Sequence, residues 1–292
     1  MKVRNVGWWF VAPAVIVLAV FFFLPVLAAL AMSVTDFDLY ALSDSDNLRF
    51  VGLQNYGRLL SEPLFWKALG NTLYFVVLGV PLSIGASLGA ALLVNSRVAR
   101  FRNFFRTVFF APVVTTLVAV AVVWRYIFHT RYGFLNYGLS ELGIGPIDWM
   151  GDPHWAMPAI VILAVWKNFG YNMIILLAAL QSIPEDLYEA ARIDGARRWQ
   201  LFRHVTLPSL APVLMLVSIL TMTGYFQLFA EPYVMTEGGP LQSTLSVLYF
   251  MYEEGFKWWS LGRASAVAFL LFILMFAVTA LQLRLGRREA GV

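Results

Sequence analysis

The sequence predicts an all-α integral membrane protein: six transmembrane helices, both termini in the cytoplasm, and a short charged cytoplasmic helix between helices four and five. Three observations support this. Of 292 residues, 60% are hydrophobic and only 13% charged, with a mean hydropathy of +0.72, whereas soluble domains carry about 25% charged residues. Six stretches reach the ~20 mostly apolar residues that a spanning helix needs. Lys and Arg gather in alternate loops, as cytoplasmic loops require.

The six spans are residues 8–32, 66–94, 104–128, 155–180, 208–234 and 265–285, within a single transmembrane domain covering 1–292. The first resembles a secretory signal, with Lys2 and Arg4 ahead of it and Ala29-Leu30-Ala31 near its end. Its apolar run exceeds the roughly 7–15 residues of such a signal, so an uncleaved span is expected. One side of the membrane holds Lys2 and Arg4; Arg97, Arg100, Arg102 and Arg106; Arg192, Arg197, Arg198 and Arg203; and Arg284, Arg287 and Arg288. The other side is acidic, with Asp36, Asp38, Asp44, Asp46, Asp148, Asp152, Glu237, Glu253 and Glu254. That asymmetry places both termini inside, in a multi-pass protein of a cytoplasmic membrane in contact with lipid. The net charge of +4 is small and dispersed, which argues against a nucleic-acid partner.

The charged helix belongs to the stretch EDLYEAARIDGARRWQLFRHVTLP, residues 185–208. Pro184 suits the first helical position, and Glu185 and Asp186 follow where the helix dipole favours negative charge. Leu187, Ala190 and Ala191 form a narrow apolar stripe. Gly195 can take the left-handed conformation that ends a helix. A second short helix then carries Trp199 and Phe202, with Pro208 expected to stop it. One reading is an amphipathic loop lying on the inner membrane surface. Against it, Ala190-Ala191 is a weak anchor and four acids oppose anionic lipid; small residues permit close approach by another protein.

Catalytic chemistry is missing. There is no cysteine, and none of Lys2, Lys67, Lys167 and Lys257 follows a glycine, so the usual phosphate-cradling loop has no counterpart. Gly85-Ala86-Ser87-Leu88-Gly89 fits a nucleophile elbow, but within an apolar span it reads as a GxxxG packing face. His129, His154 and His204 fall on opposite sides of the membrane. No catalytic residue, metal site or bound cofactor is expected.

A route through the bilayer has candidates. Lys167 lies about 15 Å deep at 1.5 Å per residue, where a cation is costly and marks a pathway by default. It could instead be structural, bonded to helix carbonyls or to a partner's acid. Tyr171 shares its face. Thr223, Gln227 and Glu231 share a face of span five. Glu231 precedes Pro232 and sits about 35 Å from Pro208, too shallow to pair with Lys167 unless the span is tilted or broken. Tyr225, Trp124 and Trp166 could offer stacking faces to a ligand, or simply pack.

Glu189-Ala190-Ala191, then Asp194-Gly195-Ala196, Phe202 and Leu207-Pro208, resemble the EAA loop of binding-protein-dependent ABC importer permeases. The resemblance continues through Asn71-Thr72-Leu73, Gln181-Ser182-Ile183-Pro184, VMTEGGPLQST (234–244), MYEEGF and Ala264–Ala266. These last segments are similar to one permease type of carbohydrate importers, that of the larger maltose permease and its glycerol-3-phosphate counterpart. The maltose type carries extra N-terminal spans and a large external insertion, which this sequence does not. The resemblance implies that loop 181–208 couples to a separate ABC ATPase dimer, with Glu189 meeting a cation and Gly195 making the turn. It implies ATP and Mg on that ATPase, and a second permease subunit of the smaller maltose-permease type. It also implies an extracytoplasmic sugar-binding protein and a bacterial or archaeal cytoplasmic membrane. Two other classes compete: a self-sufficient secondary carrier using Lys167, and an intramembrane enzyme.

Overall fold

The computed structural model describes residues 6–44, 48–96 and 101–289. Lys2, Arg4, Asp46, Arg97 and Arg100, used above for orientation, lie outside the described residues. In chain order the helices are α1 Val6–Leu18, α2 Leu24–Ser33, α3 Leu39–Ser43, α4 Gln54–Ser61, α5 Pro63–Asn95, α6 Arg102–Val114, α7 Leu117–Ile127 and α8 Phe134–Ser140. They continue with α9 Pro153–Ser182, α10 Glu185–Ile193, α11 Arg198–Leu201, α12 Leu207–Phe226, α13 Ala230–Met235, α14 Val247–Tyr252 and α15 Leu261–Glu289. π-helical turns occupy Ala19–Phe23, Phe202–Thr206 and Glu253–Lys257. Among the described residues there is no strand, only an isolated bridge between Thr35 and Phe50.

Five helical stretches are long and apolar enough to cross a membrane: Trp8–Ser33, Pro63–Asn95, Pro153–Ser182, Arg198–Phe226 and Leu261–Gly286. A sixth exists if α6 and α7, bent by 102° at a short break, count as one. The unbroken span expected over 104–128 is therefore corrected. Pro112 and the extended Thr115 and Thr116 end α6 and restart the chain in a new direction. The fifth span is also shifted from the expected 208–234. It begins ten residues earlier and ends at Phe226. Pro208 does not stop a helix, because the π turn ahead of it widens the ladder (Leu207 N bonds to Phe202 O) and places Pro208 at the start of α12, where its missing N–H costs little.

Two compact units make up the chain. Met1–Trp66 with Phe250–Ile273 form one. There, Asn55 Nδ2 donates to the carbonyls of Ser33 (2.9 Å) and Thr35 (2.8 Å), closing the turn after α2. Gly262 N donates to Phe37 O at 2.8 Å, and a side chain at Gly262 would strike Thr35 O. Helices α1 and α2 expose apolar side chains all round, as lipid contact demands.

The other unit is Lys67–Tyr249 with Leu274–Val292. Its core joins Ala90, Ala91 and Val94 of α5 to Met173, Leu176, Leu177 and Leu180 of α9 and Leu210 and Val217 of α12. α9 starts at Asp152, whose carboxylate accepts from His154 N at 2.8 Å; that bond, with the His154 ring, holds the Asp152 carboxyl below its usual range. Small residues let helices meet within this chain. A Cβ on Gly85 or Gly89 would meet nothing, whereas one on Gly170 would strike the Phe109 carbonyl, and one on Gly286 the Met215 sulfur. Between Gly85 and Gly89, Ser87 does the joining, donating to Ser83 O (2.5 Å) and to Phe169 O (3.0 Å) on α9.

Candidate functional site

A cleft of about 550 Å³ opens in the second unit between α5, α6, α7, α9, α12, α13 and α14. Its polar lining is Asn168, Tyr171, Asn172, Thr221, Tyr225, Gln227 and Glu231; Phe75, Val113, Leu117, Leu220, Leu228, Phe229 and Leu248 supply most of the apolar wall. Such a mixture of amides, hydroxyls and ring faces can receive a polyhydroxylated ligand. Four of the six expected pathway residues, Tyr171, Tyr225, Gln227 and Glu231, converge here. Thr223 is half-buried and outside the lining. The shared face failed because α12 ends at Phe226. Gln227 N and Leu228 N fold back onto Gly224 O and Tyr225 O, both at 3.2 Å, and α13 sets off separately. That break also brings Glu231 within electrostatic reach of Lys167, which a straight span would not allow.

Lys167 itself does not line the cleft. Its Nζ donates to Pro112 O at 3.1 Å and Thr115 O at 2.9 Å, two carbonyls at the break between α6 and α7. Of its two readings, the geometry is that of a lysine bonded to helix carbonyls. Trp124 and Trp166 pack on each other at 5.4 Å between centroids and lie outside the lining. The Tyr225 ring packs on Phe75 at 4.9 Å and over Gly79. Asn168 and Asn172 were not anticipated. Both stand one helical turn apart on α9, and Asn172 Nδ2 donates to Thr221 Oγ1 at 2.8 Å. Two amides inside an apolar span were the available signal.

The charged loop is an elbow held by its own bonds. Pro184 is the N-cap of α10, one position earlier than expected, and Glu185 and Asp186 occupy its first turn. Gly195 has φ +80°. Gly195 N donates to Arg192 O (3.0 Å) and Ala196 N to Ala191 O (2.9 Å), the paired closure of a Schellman motif. Arg197 N donates to Gln200 Oε1 at 2.8 Å to start α11, Trp199 and Phe202 pack at 5.5 Å, and Tyr188 and Thr206 share a hydroxyl bond of 2.9 Å. Helix α10 nevertheless buries none of its residues. Glu189, Ala190, Asp194 and Gly195 are exposed, and Ala191, Ala196 and Phe202 are half-buried. Leu207 and Pro208 are exposed where the elbow runs into α12. A hollow of about 250 Å³ lies against Ala191, Gly195, Ala196 and His204.

The GGP segment folds onto the start of the second span. Lys67 Nζ donates to Leu241 O (2.5 Å), Asn71 Nδ2 to Gln242 O (2.8 Å) and Leu245 O (2.9 Å), and Thr72 Oγ1 accepts from Val247 N (2.9 Å). Glu237, Gly238, Leu241 and Gln242 all have positive φ, so these clamps hold a backbone that few residues adopt freely. Asn71 and Thr72 thus bond Gln242, Leu245 and Val247, at the end of the 234–244 segment and just beyond it.

Residues 79–291 match the family of the binding-protein-dependent transport system inner membrane component. This range includes the elbow, the GGP segment and all of the cleft wall but Phe75. The chain belongs to that family. This permease is accordingly a transport component rather than an enzyme. It is 38% identical to the lactose transport system permease protein LacF of Rhizobium radiobacter, over 97% of this chain and 94% of that one. It is 36% identical to the trehalose/maltose transport system permease protein MalF of Thermococcus litoralis, over the same shares. Identity to the arabinooligosaccharides transport system permease protein AraP of Bacillus subtilis is 34%, over 99% and 90%. A bacterial ABC transporter involved in alginate import contains a chain that superposes with a TM-score of 0.81 over 98% of this permease and 96% of its own length, at 22% identity. That likeness concerns the fold.

Proposed function

We propose that this permease is the membrane-spanning subunit of an ATP-driven importer of sugars or related carbohydrates. It would form one transmembrane domain of six spans with both termini inside, in the cytoplasmic membrane of a bacterium or archaeon. The observation that carries the proposal is the elbow: a rigidly braced, charged helix that buries nothing within its own chain. Fixed shape with none of its residues buried suits a docking piece for a separate ABC ATPase dimer, which would hold the ATP and Mg. Glu189 would meet a cation of the ATPase, beside the small surface of Ala190 and Ala191 and the turn at Gly195. A second permease of the smaller maltose-permease type would complete the route, and an extracytoplasmic binding protein would deliver the sugar. The relatives' names support carbohydrate as cargo.

The mechanical link is short. α9 bears Asn168, Tyr171 and Asn172 and ends at the elbow; the stretch Arg198–Phe226 starts at the elbow and bears Leu220, Thr221 and Tyr225. The apolar cluster between them binds both into one body. Movement imposed at the elbow therefore reaches two walls of the cleft, as rigid-body switching requires. The carrier alternative needs Lys167 free to take up and release an ion. Its two carbonyl bonds support the ATP-driven reading instead.

Reconstitution of the assembled importer in liposomes tests this. Glu189→Lys should lower ATP-dependent uptake about tenfold or more, since like charges facing across an interface cost several kcal/mol, while leaving the protein in the membrane. Full uptake by this polypeptide alone would establish the carrier reading instead.

A further inference from the structure

We propose that Glu231 makes the cleft selective by charge, admitting uncharged and amine-bearing sugars and turning away carboxylated, sulfated or phosphorylated ones. This rests on reading the cleft as part of the transport route. Among the side chains that line it, Glu231 alone carries a formal charge; the others are amides, hydroxyls and apolar groups. The carboxylate is not neutralised by contact. Among the described residues it makes no ion pair, and its one hydrogen bond is with its own backbone amide. Burial holds its carboxyl above the usual range, that amide and the nearby Lys167 oppose this, and the charge is therefore carried towards the alkaline side.

The cation is kept behind the wall. Lys167 is outside the lining, and Pro112 O and Thr115 O hold its ammonium at the break between α6 and α7. Arg125 reaches α13 from α7, but it donates to Val234 O at 3.4 Å and lies outside the lining as well. A ligand entering the cleft thus meets a negative charge on its surface and finds the balancing positive charge already engaged. At about 6 Å in wet surroundings, a unit charge changes the local concentration of a monovalent ion roughly threefold, upward for one sign and downward for the other. The ratio between cation and anion is then about tenfold.

The sequence contains no cysteine, so one thiol can report the local charge without knowledge of the natural sugar. Leu220→Cys places it in the cleft wall. In the assembled importer in nanodiscs at pH 8.5, where the carboxyl is ionised, modification of this chain is followed by mass with a cationic and an anionic methanethiosulfonate, each rate normalised to that of a free thiol at the same pH. The cationic reagent should be favoured about tenfold. Glu231→Gln should bring the ratio close to one, Glu231→Asp should largely keep it, and Lys167→Met should raise it. A ratio near one in the parent, or one unmoved by Glu231→Gln, would overturn charge selection while leaving the route intact. If neither reagent reaches the cleft thiol in any nucleotide state, while both modify a thiol at exposed position 142, the reading of the cleft as a route fails and the inference goes with it.

Discussion

At the scale of single residues, Glu254 carries a pH dependence. It is 7% exposed and lies in the π turn ahead of α15. Arg263 Nη2 donates to Glu62 Oε2 at 2.5 Å and stands 3.3 Å from Glu254 Oε1, so two carboxylates share one guanidinium. Burial holds the Glu254 carboxyl above its usual range; Arg263 opposes this, and Glu62 and Glu253 add to it. The folded chain therefore binds this proton more tightly than the unfolded chain. Its stability falls as pH rises from the ordinary carboxylate range through the raised folded value. Glu254→Gln removes the penalty. In detergent at pH 8 the variant should melt about 1–3 °C above the parent, and the difference should shrink as pH falls towards 5. A variant less stable than the parent at pH 8 would mean that the bond to Arg263 outweighs the burial. Gly195 illustrates what a sequence can say at this scale, since a glycine after a charged helix already implies a left-handed cap. For Lys167 the sequence left two readings open. The carbonyls that it bonds belong to a chain break more than fifty residues away, which no local pattern brings near.

Helices and their junctions behave differently. The expected spans two, four and six agree with α5, α9 and α15 to within a few residues, because hydropathy reports length well. Breaks inside apolar stretches escape it. Thr115-Thr116 and Gln227–Phe229 are tolerated in a span by composition, yet each ends a helix, and it is the second that turns Glu231 into the cleft. Close contacts between helices escape too. Gly85 and Gly89 carry the recognisable spacing, yet a Cβ on either would meet nothing in its own chain, while Gly170 sits against the backbone of Phe109 and Phe110. Backbone cannot step aside as a flexible side chain can. Gly170→Ala should push α9 away from α6 at a cost of about 1–3 kcal/mol, lowering the melting temperature by about 2–4 °C for each kcal/mol. An unchanged melting temperature would mean that these helices have room to spare.

Over the whole molecule, the sequence motifs and the spatial sites coincide only in part. The elbow was legible because its chemistry is local: acids in the first turn, small residues, a glycine cap. The cleft was legible as a set of polar residues but not as a shape, since its walls come from seven helices and two chain breaks. What joins the two is α9 and α12, each carrying cleft residues at one end and the elbow at the other. A partner that grips α10 would thereby move the walls around the sugar. The most direct measurement is a cross-link in intact membranes between a single cysteine at Ala190 and one in the docking cleft of the co-expressed ATPase. A disulfide-linked pair of the two chains should form, with a yield that changes when ATP is added. No such adduct from Ala190→Cys or from Ile193→Cys, in membranes where the complex assembles and transports, would contradict the elbow as the point where the power stroke is received.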